Sequence, residues 1–179
     1  QKQPRDFRHS SSRKDLIENT YMAMPKFRFR PKPGQIDYTR ARWAPVINCV
    51  VQHGKKFLIV KRNSAMRLYP GYWNGIAGFL DDQKTLEEKV KEELREEAGI
   101  KARDILSIAL GEIFDLDDSR YKKTWIVHPV LVKVKHRKIR LDWEAEEYRW
   151  ITPKDVKHFD VTPNFKKVLK NFYKKYYVP

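Results

Sequence analysis

The chain has 179 residues, enough for one domain with a full core and some length to spare. A single cysteine, Cys49, excludes an intrachain disulfide, and no run approaches the roughly 18 apolar residues of a membrane span or the apolar core of a signal peptide. A reducing, cytoplasmic location without a membrane partner is expected. The net charge of +15 points instead to polyanions, and its distribution matters more than its size. Residues 1–42 carry 11 Lys/Arg against 4 Asp/Glu, and residues 120–140 carry 8 against none. The stretch 43–119 holds 11 against 13. RNA is therefore a candidate partner for the basic surface; a solvated face without a partner is the plain alternative.

In chain order, residues 1–42 read as a basic N-terminal arm. A short helix is expected near 15–21, and the alternation Lys26-Phe27-Arg28-Phe29-Arg30 predicts a strand at 26–30. Residues 43–179 read as the domain proper. Val46–Gln52 and Lys56–Lys61 are expected strands around a His53-Gly54 turn. Tyr72–Ile76 is a further short strand. Ile105–Phe114 and Thr124–Lys135 are two more, with Asp115–Ser119 as an acidic turn between them. His128 precedes Pro129, which argues that this strand lies at an edge or is bulged. Tyr148–Ile151 is a last short strand. Thr152-Pro153 opens a short helix, and Thr162-Pro163 opens a terminal helix over 163–177. Strands followed by isolated helices suggest a mixed α/β domain.

The segment Thr85 to Gly99 is the most informative. Thr85 and Glu88 form a capping-box pattern and Gly99 is a helix stop. Leu86, Val90, Leu94 and Ala98 make an apolar stripe. At about 100° per residue, Glu97 falls inside that stripe, Glu93 beside it and Glu96 one step further out. Carboxylates in an apolar sector are costly without a partner. With no lysine or arginine read into that sector, a divalent metal is the expected partner, and Mg²⁺ prefers such oxygen ligands.

This arrangement resembles the Nudix hydrolase signature: Gly, five residues, Glu, seven residues, then Arg-Glu-apolar-any-Glu-Glu-any-Gly-apolar. Gly78 starts it and Glu93-Leu94-Arg95-Glu96-Glu97-Ala98-Gly99-Ile100 finish it in register, with Pro70 to Asp81 resembling the family's lead-in. Two positions depart: Lys84 stands where Glu is expected, and Glu92 where Arg is expected. Lys84 and Glu92 are expected to form a sign-reversed ion pair that braces the loop against the helix. Two other readings compete: Glu92 joins the metal-facing set, or the box has lost catalysis.

The resemblance implies an α/β/α sandwich with a mixed central sheet. It also implies hydrolysis of a pyrophosphate bond in a nucleoside diphosphate linked to another group, with Mg²⁺ as cofactor and Mn²⁺ as a substitute. Carried over residue by residue, it makes Glu93 a metal ligand and candidate base, Glu96 and Glu97 the principal ligands, and the Gly78 carbonyl a further one. A late catalytic glutamate is expected among Glu144, Glu146 and Glu147, with Glu147 taken as the catalytic candidate beside Glu93 and Glu97. Arg62, Arg67 and Trp73 flank the box loop and suit phosphate or base contacts. A nucleotide is the implied substrate. RNA 5′-end hydrolysis and a non-catalytic RNA-binding module are the alternatives. In several subfamilies an N-terminal arm exchanges across a homodimer, and residues 1–42 are the counterpart here.

Overall fold

The structure is a computed structural model that describes residue 31 and residues 33–174. The helix expected near 15–21 and the strand at 26–30 lie outside the described residues, as do residues 175–177 of the helix expected over 163–177, which ends earlier than expected, at Phe172, where Tyr173 leaves the helical conformation. The described chain runs through β1 (Trp43–His53), β2 (Lys56–Arg62), β3 (Trp73–Asn74), β4 (Ile76–Phe79) and α1 (Leu86–Ala98). A 3₁₀ turn at Ala102–Asp104 leads to β5 (Ile105–Leu110), β6 (Phe114–Asp118), β7 (Lys123–Val134) and β8 (Ala145–Ile151). A second 3₁₀ segment, Pro153–His158, precedes α2 (Pro163–Phe172).

The strands form one mixed sheet. Its path is β3-β2-β1-β7-β5, with β4 on β1, β6 on β7 and β8 on β2. The long central pair β1·β7 is parallel, in register from Trp43↔Thr124 to Gln52↔Lys133, and the other strand pairings are antiparallel. A parallel central pair is buried on both faces, which is why β1 and β7 read as near-continuous apolar runs. Two cores result, one on each face. On one face Val90, Leu94 and Ala98 of α1 pack with Ile47, Cys49, Leu58 and Val132. On the other, Phe165, Val168 and Leu169 of α2 pack with Val46, Phe57, Ile59 and Val127. The layered α/β/α sandwich expected from the sequence is the observed fold.

Two local expectations are corrected. Residues 115–118 are not a turn: Phe114–Asp118 is β6, paired antiparallel to β7. Its inner residues explain this. Asp118 is buried, where it accepts hydrogen bonds from Tyr69 Oη at 2.5 Å and Trp125 Nε1 at 2.9 Å. Acidic side chains thus sit on a strand because hydroxyl and indole donors meet them. Of the two alternatives for the strand carrying Pro129, the edge position is excluded. That strand is flanked by β1 on one side and by β5 and β6 on the other. Pro129 is accommodated because the antiparallel neighbour is interrupted there. β5 ends opposite Val130, β6 begins opposite Val127, and Gly111 N donates to the Pro129 carbonyl at 2.9 Å. A residue's N and O point the same way in a strand, so the missing N–H faces that break and removes no ladder bond.

Candidate active site

The site is built on α1 and on the loop before it. Thr85 is the N-cap: its Oγ1 accepts from Glu88 N at 3.3 Å while the Glu88 carboxylate accepts from Thr85 N at 2.8 Å. Gly99 closes the helix at φ 68°, a left-handed conformation that favours glycine. With both ends fixed, the apolar stripe Val90, Leu94 and Ala98 is fully buried and locks the rotation of the helix. That rotation carries Glu93 against Gly78 of β4 and Glu97 into the electrostatic range of Cys49 of β1.

Glu93 lies against the backbone of Gly78 on β4. A Cβ at residue 78 would stand 2.1 Å from Glu93 Oε1, so only glycine admits the carboxylate there. Burial pushes the Glu93 carboxyl up to about 7; Lys89 works against this, and the charges of Glu144 and Glu92 add to it. Glu97 is raised well above the usual carboxylate range, first by burial and then by Glu93 and Glu144, with Arg62 opposing. Glu144 is raised by burial and by Asp142, again against Arg62. Glu93, Glu97 and Glu144 are therefore electrostatic neighbours, and Arg62 is the guanidinium that faces two of them. Arg62 is itself steadied by the loop: its Nε donates to Leu68 O at 2.7 Å.

Glu96 is exposed and held by Arg95 at 2.9 Å. Glu147 pairs with Arg149 and lines a hollow of 510 Å³ with Leu141, Tyr148 and Trp150, among others. Glu146 accepts from Ser64 N at 2.7 Å and lies 3.8 Å from Lys61. Of the three late glutamates, Glu144 is the one grouped with the box acids. Arg67 is exposed and has Asp37 and Lys123 as electrostatic neighbours. Trp73 packs edge-on against Phe159 at 5.1 Å, in the core beneath α2. The structure thus brings Arg62 to the carboxylates, but not Arg67 or Trp73.

Lys84 Nζ stands 3.4 Å from Glu92 and closer still, at 2.5 Å, to Asp82. The sequence reading that no basic residue shares the glutamate sector is wrong. Lys89 is 6% exposed, and its Nζ lies 3.2 Å from Asp81, 3.6 Å from Asp82, 3.2 Å from Glu92 and 3.4 Å from Glu93. It joins the loop acids to the helix acids from beneath. The signal was present: Lys89 is four residues before Glu93 and falls between Glu93 and Glu96 on the wheel. Asp81, also buried, anchors the segment before β1 as well: it accepts from Gln35 Nε2 at 2.6 Å, and Ile36 N donates to its carbonyl at 2.6 Å.

The donor set fits a divalent cation by its chemistry. Three half-buried carboxylates share this corner and their proton affinities are raised, a deficit of positive charge that a hard cation supplies. Among the described residues no three acidic, histidine or thiol groups converge tightly enough to enclose an ion as they stand. Glu93 leans on Lys89, and Glu96 on Arg95.

A family model described as NUDIX domain matches residues 42–172, most of the chain and all of this site. The chain belongs to the Nudix family. Members of the family are pyrophosphohydrolases acting on acid anhydrides. A nucleoside triphosphatase NudI from Escherichia coli O139:H28 (strain E24377A / ETEC) is 23% identical over 137 residues, covering 72% of this chain and 96% of the relative. Among solved structures, a MutT protein from Methanosarcina mazei Go1 superposes with a TM-score of 0.60 at 19% identity, over 78% of this chain and 99% of that one. A bifunctional NMN adenylyltransferase/ADP ribose pyrophosphatase from Francisella tularensis, complexed with AMP and a Mn ion, gives a TM-score of 0.61 at 18% identity. This Nudix chain covers 47% of that protein, and 91% of its own length is matched. Among the described residues no helix is long and apolar enough to cross a membrane.

Proposed function

We propose that this Nudix domain hydrolyses the pyrophosphate bond of a nucleoside diphosphate linked to another group, with Mg²⁺ or Mn²⁺ as cofactor. The observation that carries the reading is the seat of Glu93 against the Gly78 backbone, with Glu97 and Glu144 as its electrostatic neighbours and Arg62 acting on both of those. Glu93, Glu96 and Glu97, with the Gly78 carbonyl, are the residues to hold the metal. When bound, the metal neutralises charge that builds on the phosphoryl oxygens during attack by water. Arg62 orients the substrate phosphates, its fork being suited to paired oxygens. Glu144 takes the proton of the attacking water, a role for which Glu147 is less well placed because Arg149 holds it.

The Mn ion in the Francisella neighbour and the triphosphatase name of the Escherichia relative support a nucleotide substrate and a divalent metal. A cytoplasmic location is proposed from the lone, buried Cys49 thiol. A homodimer through residues 1–42 is proposed from the family resemblance alone. The test is a panel of nucleoside triphosphates, dinucleoside polyphosphates and ADP-ribose with Mg²⁺ or Mn²⁺ and phosphate detection. Glu93→Gln and Glu97→Gln are expected to lower the rate at least about 100-fold. Glu144→Gln is expected to cost more than Glu147→Gln; the reverse order would return the role to Glu147. Absence of turnover across the whole panel would contradict the reading.

A further inference from the structure

The end of β7 and its connection to β8 gather cations that the carboxylate site does not use. Lys133, Lys135, Arg137, Lys138 and Arg140 are all exposed. The turn after α1 adds Lys101 and Arg103, also exposed. The two segments are joined: Lys135 N donates to Asp104 O at 2.9 Å and Lys135 Nζ to Arg103 O at 2.6 Å. Asp104 is the only acid within 101–104 and 133–140, and it faces His136 at 3.4 Å. Among the described residues none of the seven cations makes an ion pair with a carboxylate, whereas Arg42, Lys61, Lys91 and Arg149 each do.

Seven like charges on two adjoining segments repel one another. The negative end of α1 offsets only about half a charge. The strip also has a direction. Arg140 N donates to Ala98 O at 3.0 Å, one residue beyond Glu97. Trp143, 58% exposed, follows, and directly precedes Glu144. A line of cations that reaches an exposed aromatic ring and then a phosphate-cleaving site has the makings of a path for a single polyanionic strand. Backbone phosphates meet the cations and a base stacks on the indole. An anionic membrane would be met by a broad cationic face; these charges follow eight consecutive positions of one segment.

We propose that residues 133–143, with Lys101 and Arg103, form a track for single-stranded nucleic acid that leads a 5′-phosphorylated end to Glu93, Glu97 and Glu144. The delivery of that end rests on the hydrolase reading; the binding does not. The test measures fluorescence anisotropy of a 5′-triphosphorylated RNA 12-mer across a salt series. It compares wild type with Lys133→Gln/Lys135→Gln/Arg137→Gln/Lys138→Gln. A control, Lys154→Gln/Lys157→Gln/Lys166→Gln/Lys170→Gln, removes as many charges near α2. Thermal melting establishes that each variant folds.

The track variant is expected to bind at least about tenfold more weakly and to lose about 3 from the slope of log affinity against log salt, roughly 0.7 for each of four contacts. The control is expected to change less than about threefold. Trp143→Ala is expected to weaken binding at least about fivefold, the lower range for one stacked base. In a kinetic arm, the ratio of kcat/KM for the triphosphorylated 12-mer to that for the free nucleoside triphosphate falls at least about tenfold in the track variant. Equal losses in track and control variants, or wild-type binding to phosphatidylserine vesicles without binding to the 12-mer, would overturn the proposal. Failure of the wild type to hydrolyse either substrate would instead sink the hydrolase reading and leave the binding arm to stand or fall separately.

Discussion

Lys89 carries more of the site's electrostatics than either residue at the two departing positions of the box. It is buried among four carboxylates, while Lys84 is exposed and meets Asp82 and Glu92 from outside. The box pattern places its cation at position 92; here Glu92 occupies that position and the cation stands one turn earlier. Lys89→Met leaves the buried Asp81 without its counter-charge, and about 3–5 kcal/mol of stability is expected to be lost in denaturant unfolding. Lys84→Met is expected to cost much less in the same measurement, since exposed pairs contribute little. A larger loss for Lys84→Met would show that the outer pair is the brace. Gly78→Ala is expected to turn the Glu93 carboxylate away, because the added methyl would stand 2.1 Å from Oε1. Its signature is a rate loss of about 100-fold or more with the fold retained by circular dichroism.

At the scale of the element, α1 positions the chemistry by ordinary means: a cap at each end and a buried stripe between. Thr85→Ala is expected to cost about 1 kcal/mol, and Leu94→Ala, which empties a fully buried position, about 2–5 kcal/mol. The loop before it adds a pH dependence. Hydrogen bonds from Lys84 outweigh a smaller burial effect and, with the charge of Lys89, hold Asp82 below the usual carboxylate range. A depressed carboxylate contributes stability above its unfolded pKa of about 3.9, and that contribution is lost as pH falls through the lower folded value. The melting temperature of Asp82→Asn is therefore expected to fall less than that of wild type between about pH 5 and pH 2. An identical fall would remove Asp82 from the brace.

Elements such as α1, β1 and β7 were legible because each has one dominant signal: a cap with 3.6-residue periodicity, or a long apolar run. β6 was not. Its aspartates resemble a turn until Tyr69 and Trp125, distant in sequence, supply donors to Asp118. Pro129 misled for the same reason, since the break that accommodates it belongs to another strand. Within the site, Glu93 and Glu97 could be placed from the wheel alone. Glu144 could not be told from Glu146 and Glu147, because only the pairing of Ala145 with Arg62, and of Asn63 N with the Glu144 carbonyl, sets that residue beside the box acids.

At the scale of the whole molecule, a parallel β1·β7 pair buried on both faces separates two cores. One holds α1 and the site; the other holds α2. The box acids sit at the margin of the first core, where burial makes them costly as anions and a bound cation relieves the cost. The most direct measurement is a crystal structure of the chain soaked in Mn²⁺. The account predicts an ion about 2.1 Å from carboxylate oxygens of Glu93 and Glu97, a spacing typical of small hard cations, with Glu93 withdrawn from Lys89. Well-ordered density with those carboxylates turned to solvent and no ion beside them would contradict it.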